Sequence, residues 1–246
     1  MKLFHFFVAA FLLTNILHCR SQPNQRANET SQVSNGYTYR KASQDGIGKF
    51  YMDREISHVM GAGGSAWLDR AERVSEEAPM TAIAKMPIEP GSVVADIGAG
   101  TGYYTFRIAP KLTAGKIYAV ELQKEMLSML KQRKNANNTQ NVEIISGTNQ
   151  SVNLPDNSID IAFMVDVYHE LEYPIEMLQS IRRALKPSGR LLLIEYRGED
   201  PSVPIKPLHK MTVKQVRKEL EQNGFTFESN GDFLPIQHFL IFQKSE

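Results

Sequence analysis

Residues 93–104 read Val-Val-Ala-Asp-Ile-Gly-Ala-Gly-Thr-Gly-Tyr-Tyr, and this stretch decides the fold. A short apolar strand runs into three glycines at alternate positions, and a helical pattern opens behind them. Glycine permits positive φ and lets a ligand approach a backbone that carries no Cβ. The amides at the start of the following helix favour a negatively charged ligand group. The spacing Gly98-x-Gly100-x-Gly102 places Tyr103 where a dinucleotide-binding loop needs glycine or alanine. Asp96, two residues before Gly98, would repel a pyrophosphate but can accept from an ammonium.

Outward from the loop, apolar runs alternate with helical patterns, the signature of stacked βαβ units. Strands are predicted at Ser92–Ile97, Lys116–Val120, Val142–Ser146, Ile159–Val165 and Arg190–Tyr196. Lys124–Lys134 and Pro174–Leu185 carry their apolar residues on one helical face. Thr212 and Gln215 form a capping box for a last helix, and Gly224 supplies its stop. Phe225–Glu228 and Gln237–Gln243 close the chain as two further strand-like runs. The fold class is α/β: a doubly wound, seven-stranded, Rossmann-like sheet over residues 91–246, with helices in five connections. Residues 46–90 read as an N-terminal helical extension, broken at Gly61, Gly63 and Gly64.

Glu121 ends the second strand, 19 residues after Gly102, where an acid reaches ribose hydroxyls. A ligand with a ribose, a positive charge and a carboxylate is implied, and S-adenosyl-L-methionine has all three. The segments VADIGAGTG, AVELQKEML, NLPDNSIDIAFMVDVYHEL and IRRALKPSGRLLLIEYR together resemble a class I S-adenosylmethionine-dependent methyltransferase. The likeness runs from about residue 90 to 225 and is strongest to the small-molecule type of quinone biosynthesis and arsenite methylation. It implies the sheet order 3-2-1-4-5-7-6 with the last strand antiparallel, and an N-terminal extension lying over the active site. It also implies a cofactor site of Asp96, Gly98, Ala99, Gly100, Gly102, Glu121, Thr148, Asn149 and Asp166. The family usually has an acid after its third strand, where this chain has Gly147-Thr148-Asn149.

The expected reaction is in-line methyl transfer to a small-molecule acceptor. The alternative is a binding module that keeps the methyltransferase fold without turnover. Beyond the fourth strand, His169 is the candidate general base, with Asp166 or Glu170 to orient it. Tyr51, His58, Trp67 and Tyr168 are candidate substrate contacts; a helix over residues 51–58 would put Tyr51, Glu55 and His58 on one face. No histidine pair has metal-ligand spacing, so no metal is expected, and the single cysteine excludes a three-thiol arsenite site.

With 28 basic and 27 acidic residues the formal charge is +1, which argues against a nucleic-acid partner. Residues 1–18 read as a signal segment, whose apolar run of about 15 residues is short of the roughly 20 a membrane-spanning helix needs. A polar tether follows over residues 19–45. Cys19 at their junction resembles a lipoprotein attachment site and predicts export with membrane attachment, the alternative being the cytoplasmic face of the inner membrane. The acceptor and the oligomeric state are not encoded in any pattern visible here.

Overall fold

The computed structural model describes residues 32–245; the signal segment and Cys19 lie outside the described residues. The chain begins with a small antiparallel sheet of β1 (Gln32–Ser34), β2 (Tyr37–Tyr39), β3 (Gly46–Tyr51) and β4 (Arg54–Ser57). This corrects two expectations: the tether includes strands, and the start of the extension is not helical. Asn35 and Gly36 both take positive φ between the paired Ser34 and Tyr37. Met52 and Asp53 do the same between Tyr51 and Arg54. Two-residue loops with both φ values positive match strand twist, and Asn-Gly is their strongest sequence signal. The small sheet buries Tyr37, Tyr51 and Ile56 against Tyr173 and Ile175.

Helical structure in the extension is limited to α1 (Ser65–Leu68), α2 (Arg73–Glu77) and α3 (Pro79–Lys85). The seven-stranded sheet comprises β5 (Val93–Ile97), β6 (Lys116–Glu121), β7 (Val142–Ser146), β8 (Ile159–Val165), β9 (Leu185–Tyr196), β10 (Phe225–Gly231) and β11 (Gln237–Lys244). Its spatial order is β7-β6-β5-β8-β9-β11-β10, with β11 antiparallel to both neighbours. That is the expected 3-2-1-4-5-7-6.

Four connections carry helices, not five: α4 (Thr105–Ile108), α5 (Lys124–Ala136), α6 (Pro174–Ala184) and α7 (Val213–Gln222). Residues 147–158 cross from β7 to β8 without one, and Asn153 and Asn157 turn there at positive φ. Side chains alternate between the two faces of the sheet. Ala95, Ala162 and Leu193 pack with Leu178, Ile181 and Leu220 from α6 and α7. Val94, Phe163 and Leu192 pack with Ile83, Ile108 and Leu130 from α3, α4 and α5. Burial on both faces accounts for the nearly continuous apolar strand sequences.

Arg54 at the start of β4 ties the small sheet to α7. Its Nε and Nη2 donate to the two oxygens of the fully buried Glu219, at 2.8 and 2.9 Å. Tyr168 Oη and Gln215 Nε2 also donate to that carboxylate. Removing one partner strands a buried charge, so Arg54→Ala should cost about 3–5 kcal/mol. Replacing both by apolar residues, Arg54→Met with Glu219→Leu, should cost less than the single change. Urea unfolding of the three proteins checks this, and a single variant within 1 kcal/mol (about the worth of a surface pair) of the parent would refute it.

Candidate functional site

The ends of β5, β6, β8 and β9 open on one cavity of about 880 Å³, at the upper end of the usual range for small-molecule sites. Gly98 and Gly100 form part of one side, with Glu121, Leu122, Thr148 and Asn149 beside them. Residues 58–73 of the extension supply His58, Met60, Trp67, Leu68, Arg70 and Arg73. Asp166, His169, Glu170, Tyr196 and His209 complete the far side.

The loop after β5 is held from within. Gly98 and Ala99 donate their N–H groups to Val120 O, and Gly102 donates to Ala99 O. Gly100 donates to Glu121 Oε2 at 2.9 Å. A Cβ on Gly98 would come within 2.7 Å of Val167, and one on Gly100 within 2.9 Å of Leu68 Cδ1. Both glycines also sit at positive φ. The loop's other walls are therefore close enough that only glycine fits. The helix behind the loop, α4, is only four residues long.

Glu121 is buried, and its Oε1 accepts from the N–H groups of Leu122 and Gln123 at 2.7 and 2.9 Å. Asp96 lies beneath the loop, accepting from Thr105 Oγ1. Burial, with the charge of Glu121, pushes its carboxyl up to about 7. Neither Asp96, Ala99 nor Gly102 is on the cavity wall; Gly102 instead packs on Phe106 and Leu130. Thr148 and Asn149 sit at the exposed rim, where Asn149 donates to Glu172.

Two expected substrate contacts are misplaced. Tyr51 is buried in the small sheet, its hydroxyl accepting from Asn223 Nδ2 at 2.6 Å. Tyr168 is fully buried and donates to Glu219. Neither touches the cavity: Tyr51 because residues 51–57 form a hairpin and not a helix, and Tyr168 because its hydroxyl turns inward to Glu219. His58 and Trp67 do line it, with Arg70 stacked 3.7 Å from the Trp67 ring.

With this geometry in hand, likenesses to known proteins take on meaning. Residues 95–193 match the family described as a methyltransferase domain. A solved S-adenosylmethionine-dependent methyltransferase from Aquifex aeolicus aligns with a TM-score of 0.71 at 24% identity, over 76% of this chain and 100% of that one. The fold is that of a class I methyltransferase. A demethylmenaquinone methyltransferase of Bacillus mycoides is 27% identical over 111 residues, which is 45% of this chain and 47% of the relative. An uncharacterized methyltransferase of Bacillus subtilis is 31% identical over 109 residues, 44% and 42% of the two chains. The matches thus span less than half the length of these curated relatives.

The donor set of the cavity fits the groups of S-adenosylmethionine. Glu121 brings carboxylate oxygens to the wall, where ribose hydroxyls can donate to them, and Asp96 lies behind the loop. Arg73, on the wall and 3.9 Å from Asp166, can take a carboxylate. Leu122, Thr148 and Asn149 border the slot open to a nucleobase.

Asp166 ends β8 at φ 55° and does not orient His169. It accepts twice from Gln237 Nε2, and burial, then Glu77 and Glu195, raise its carboxyl well above the usual range. His169 is oriented by Glu195, whose Oε2 lies 2.6 Å from Nδ1. Glu195 Oε1 accepts from the N–H groups of Val167 and Tyr168. Sequence reading missed Glu195, although a lone acid inside Leu-Leu-Leu-Ile-Glu-Tyr was a visible signal. It also missed Arg73, Glu77 and His209. Arg73 and Tyr196 both donate to the buried Glu77, at 2.6 and 2.7 Å. The fold brings His209 Nδ1 within 3.3 Å of His169 Nε2, and within 3.5 Å of Glu170 Oε1.

Burial alone would lower the His169 pKa, but the Glu195 and Glu170 carboxylates reverse that and raise it to about 10. As placed, it holds a proton at neutral pH and is not a free base there. An NMR titration of its Hε1 should give a midpoint near 10, and Glu195→Gln should move it down toward the unperturbed value of about 6.5. A parent midpoint below 7 would contradict this geometry.

Proposed function

We propose that this chain transfers the methyl group of S-adenosylmethionine to a small-molecule acceptor bound in the same cavity. The observation that carries the proposal is that one continuous cavity joins the glycine loop and Glu121 to a separate polar wall of His58, His169, Glu170 and His209. The methyltransferase-domain match supports it. So does the likeness to a demethylmenaquinone methyltransferase, whose named substrate is a small molecule.

Bound there, S-adenosylmethionine supplies an electrophilic methyl group on a sulfonium. The protein's task is alignment, worth up to roughly 7–11 kcal/mol when a second reactant is held in line. Glu121 fixes the ribose end, and its bond to Gly100 couples that end to the loop. Arg73 on the wall faces the carboxylate group, and Asp96, held behind the loop, supplies the negative charge toward the amino group. Trp67, Met60 and Leu68 line the extension side with apolar surface. Export and membrane attachment through Cys19 belong to the same reading, which predicts that Cys19→Ser moves the protein from the membrane to a soluble fraction.

Calorimetric titration with S-adenosylmethionine should show binding that Glu121→Gln weakens by about tenfold or more, from the loss of about 1.5–3 kcal/mol in charge-assisted bonds. Affinity within twofold of the parent, with the fold intact by circular dichroism, would exclude Glu121 as a ligand. Binding without methyl transfer to any component of a small-molecule extract favours the non-catalytic alternative.

A pH series gives a second test. Asp96 is half protonated near its value of about 7, and only its carboxylate form pairs with an ammonium. Binding should therefore strengthen as pH rises through 7, by up to about tenfold per unit on the acid side, and then level off. Asp96→Asn should flatten the profile. A parent profile equally flat between pH 5.5 and 8, a window of roughly 1 unit or more on each side of that value, would remove Asp96 from the role.

A further inference from the structure

We propose that His169, Glu170 and His209 form a binding site for one divalent transition-metal ion of the zinc class, open to the cavity that the glycine loop also faces. The site itself stands on the geometry of three side chains. Its use, to hold a donor atom of the acceptor, rests on the function proposed above.

His169 Nε2, His209 Nδ1 and Glu170 Oε1 form a triangle with edges of 3.3, 3.5 and 3.7 Å. A point about 2.0–2.1 Å from all three atoms therefore exists at its centre, which is the ordinary length of a zinc–nitrogen or zinc–oxygen bond. At the very centre an ion would lie in the plane of its three ligands; raised out of that plane to tetrahedral angles, its bonds lengthen to about 2.15 Å, still within about 0.2 Å of ordinary zinc distances. Octahedral coordination needs shorter ligand–ligand separations than these, so the triangle suits the tetrahedral case better. Two imidazoles and one carboxylate, with a further position free, is the donor set of catalytic zinc sites.

His169 and Glu170 are held from behind by their side chains, and His209 through its backbone. A metal-bound histidine usually passes its other N–H to a carboxylate, which sets the tautomer and the ring orientation. Here Glu195, fully buried, occupies that place on His169 Nδ1 at 2.6 Å. The second oxygen of Glu170 accepts from the N–H of Met60 at 3.2 Å. The carbonyl of His169 accepts from Arg54 Nη1 and Ser57 Oγ, which pins the turn to β4. His209 ends a 3-10 turn at Pro207–His209, with its N–H given to Lys206 O. Glu170 and Glu195 together supply negative charge beside a divalent cation. His169, Glu170 and His209 all line the cavity, so the remaining coordination position faces the space beside Trp67 and His58.

The test uses the full chain, stripped with a chelator, desalted and titrated with Zn²⁺ against a competing chelator dye. One equivalent should bind, and Co²⁺ in its place should give the intense visible bands of a tetrahedral ion. His209→Ala and Glu170→Gln should each weaken Zn²⁺ by more than about 100-fold, and Glu195→Gln by about 10–100-fold as an outer partner. His238→Ala is the control, because that histidine pairs with Glu199 outside the cluster and should leave Zn²⁺ affinity unchanged. Zn²⁺ affinity in the parent no greater than in His209→Ala would overturn the site, as would an equal loss in His238→Ala. S-adenosylmethionine binding measured on the same samples keeps the two readings apart. A chain that takes Zn²⁺ but not the nucleoside retains the metal site and loses the proposed function, and the reverse result does the opposite.

Discussion

One buried carboxylate organises the far half of the site. Glu195 has no solvent exposure, yet it ends an apolar strand in the middle of the sheet. A charge in that position is tolerable only if it is fully hydrogen-bonded. Val167, Tyr168 and His169 all turn toward it from the segment after β8. Its demand for partners is what curls residues 167–170 into a tight turn and presents His169 and Glu170 to the cavity. Asp166, one residue earlier, is left at positive φ at the start of that bend. Asx residues tolerate this conformation better than most side chains do.

The other half depends on the extension. The small sheet contributes no strand to the main sheet, but Arg54, Ser57 and Met60 each bond to the turn or to α7 behind it. Arg73 then enters between Glu77 and Asp166, with Tyr103 and Tyr104 against its guanidinium. Two surfaces distant in sequence thus share one set of buried charges. Taking any member away leaves another without compensation, so the extension is part of the site and not a cover added to it.

Much of this was legible in the sequence, and the parts that were not have physical reasons. Short, nearly continuous apolar runs and the glycine spacing carry local information, so the strands of the sheet, their order by resemblance, and Glu121 on the cavity wall could be read. Asn35-Gly36 is a strong hairpin signal that its polar surroundings concealed. Met52-Asp53 is a poor one, since methionine seldom takes positive φ, and so β3 and β4 read as a helix. The β strand of Lys49 and Tyr51 also looked helical because its residues pair with β2 and not with near neighbours. His209 reaches His169 only through the path of the chain after β9. No spacing in sequence encodes a distance set by tertiary folding.

Leu68 presses so closely on Gly100 that a single methyl there would collide with it. That contact joins a segment outside the main sheet to the loop at its centre. One side of the cavity is thereby built from residues 58–73, whose replacement disturbs no strand pairing of the seven-stranded sheet. Selection can remodel what enters the cavity by exchanging that stretch, while the nucleoside side stays under the separate constraint of its glycines.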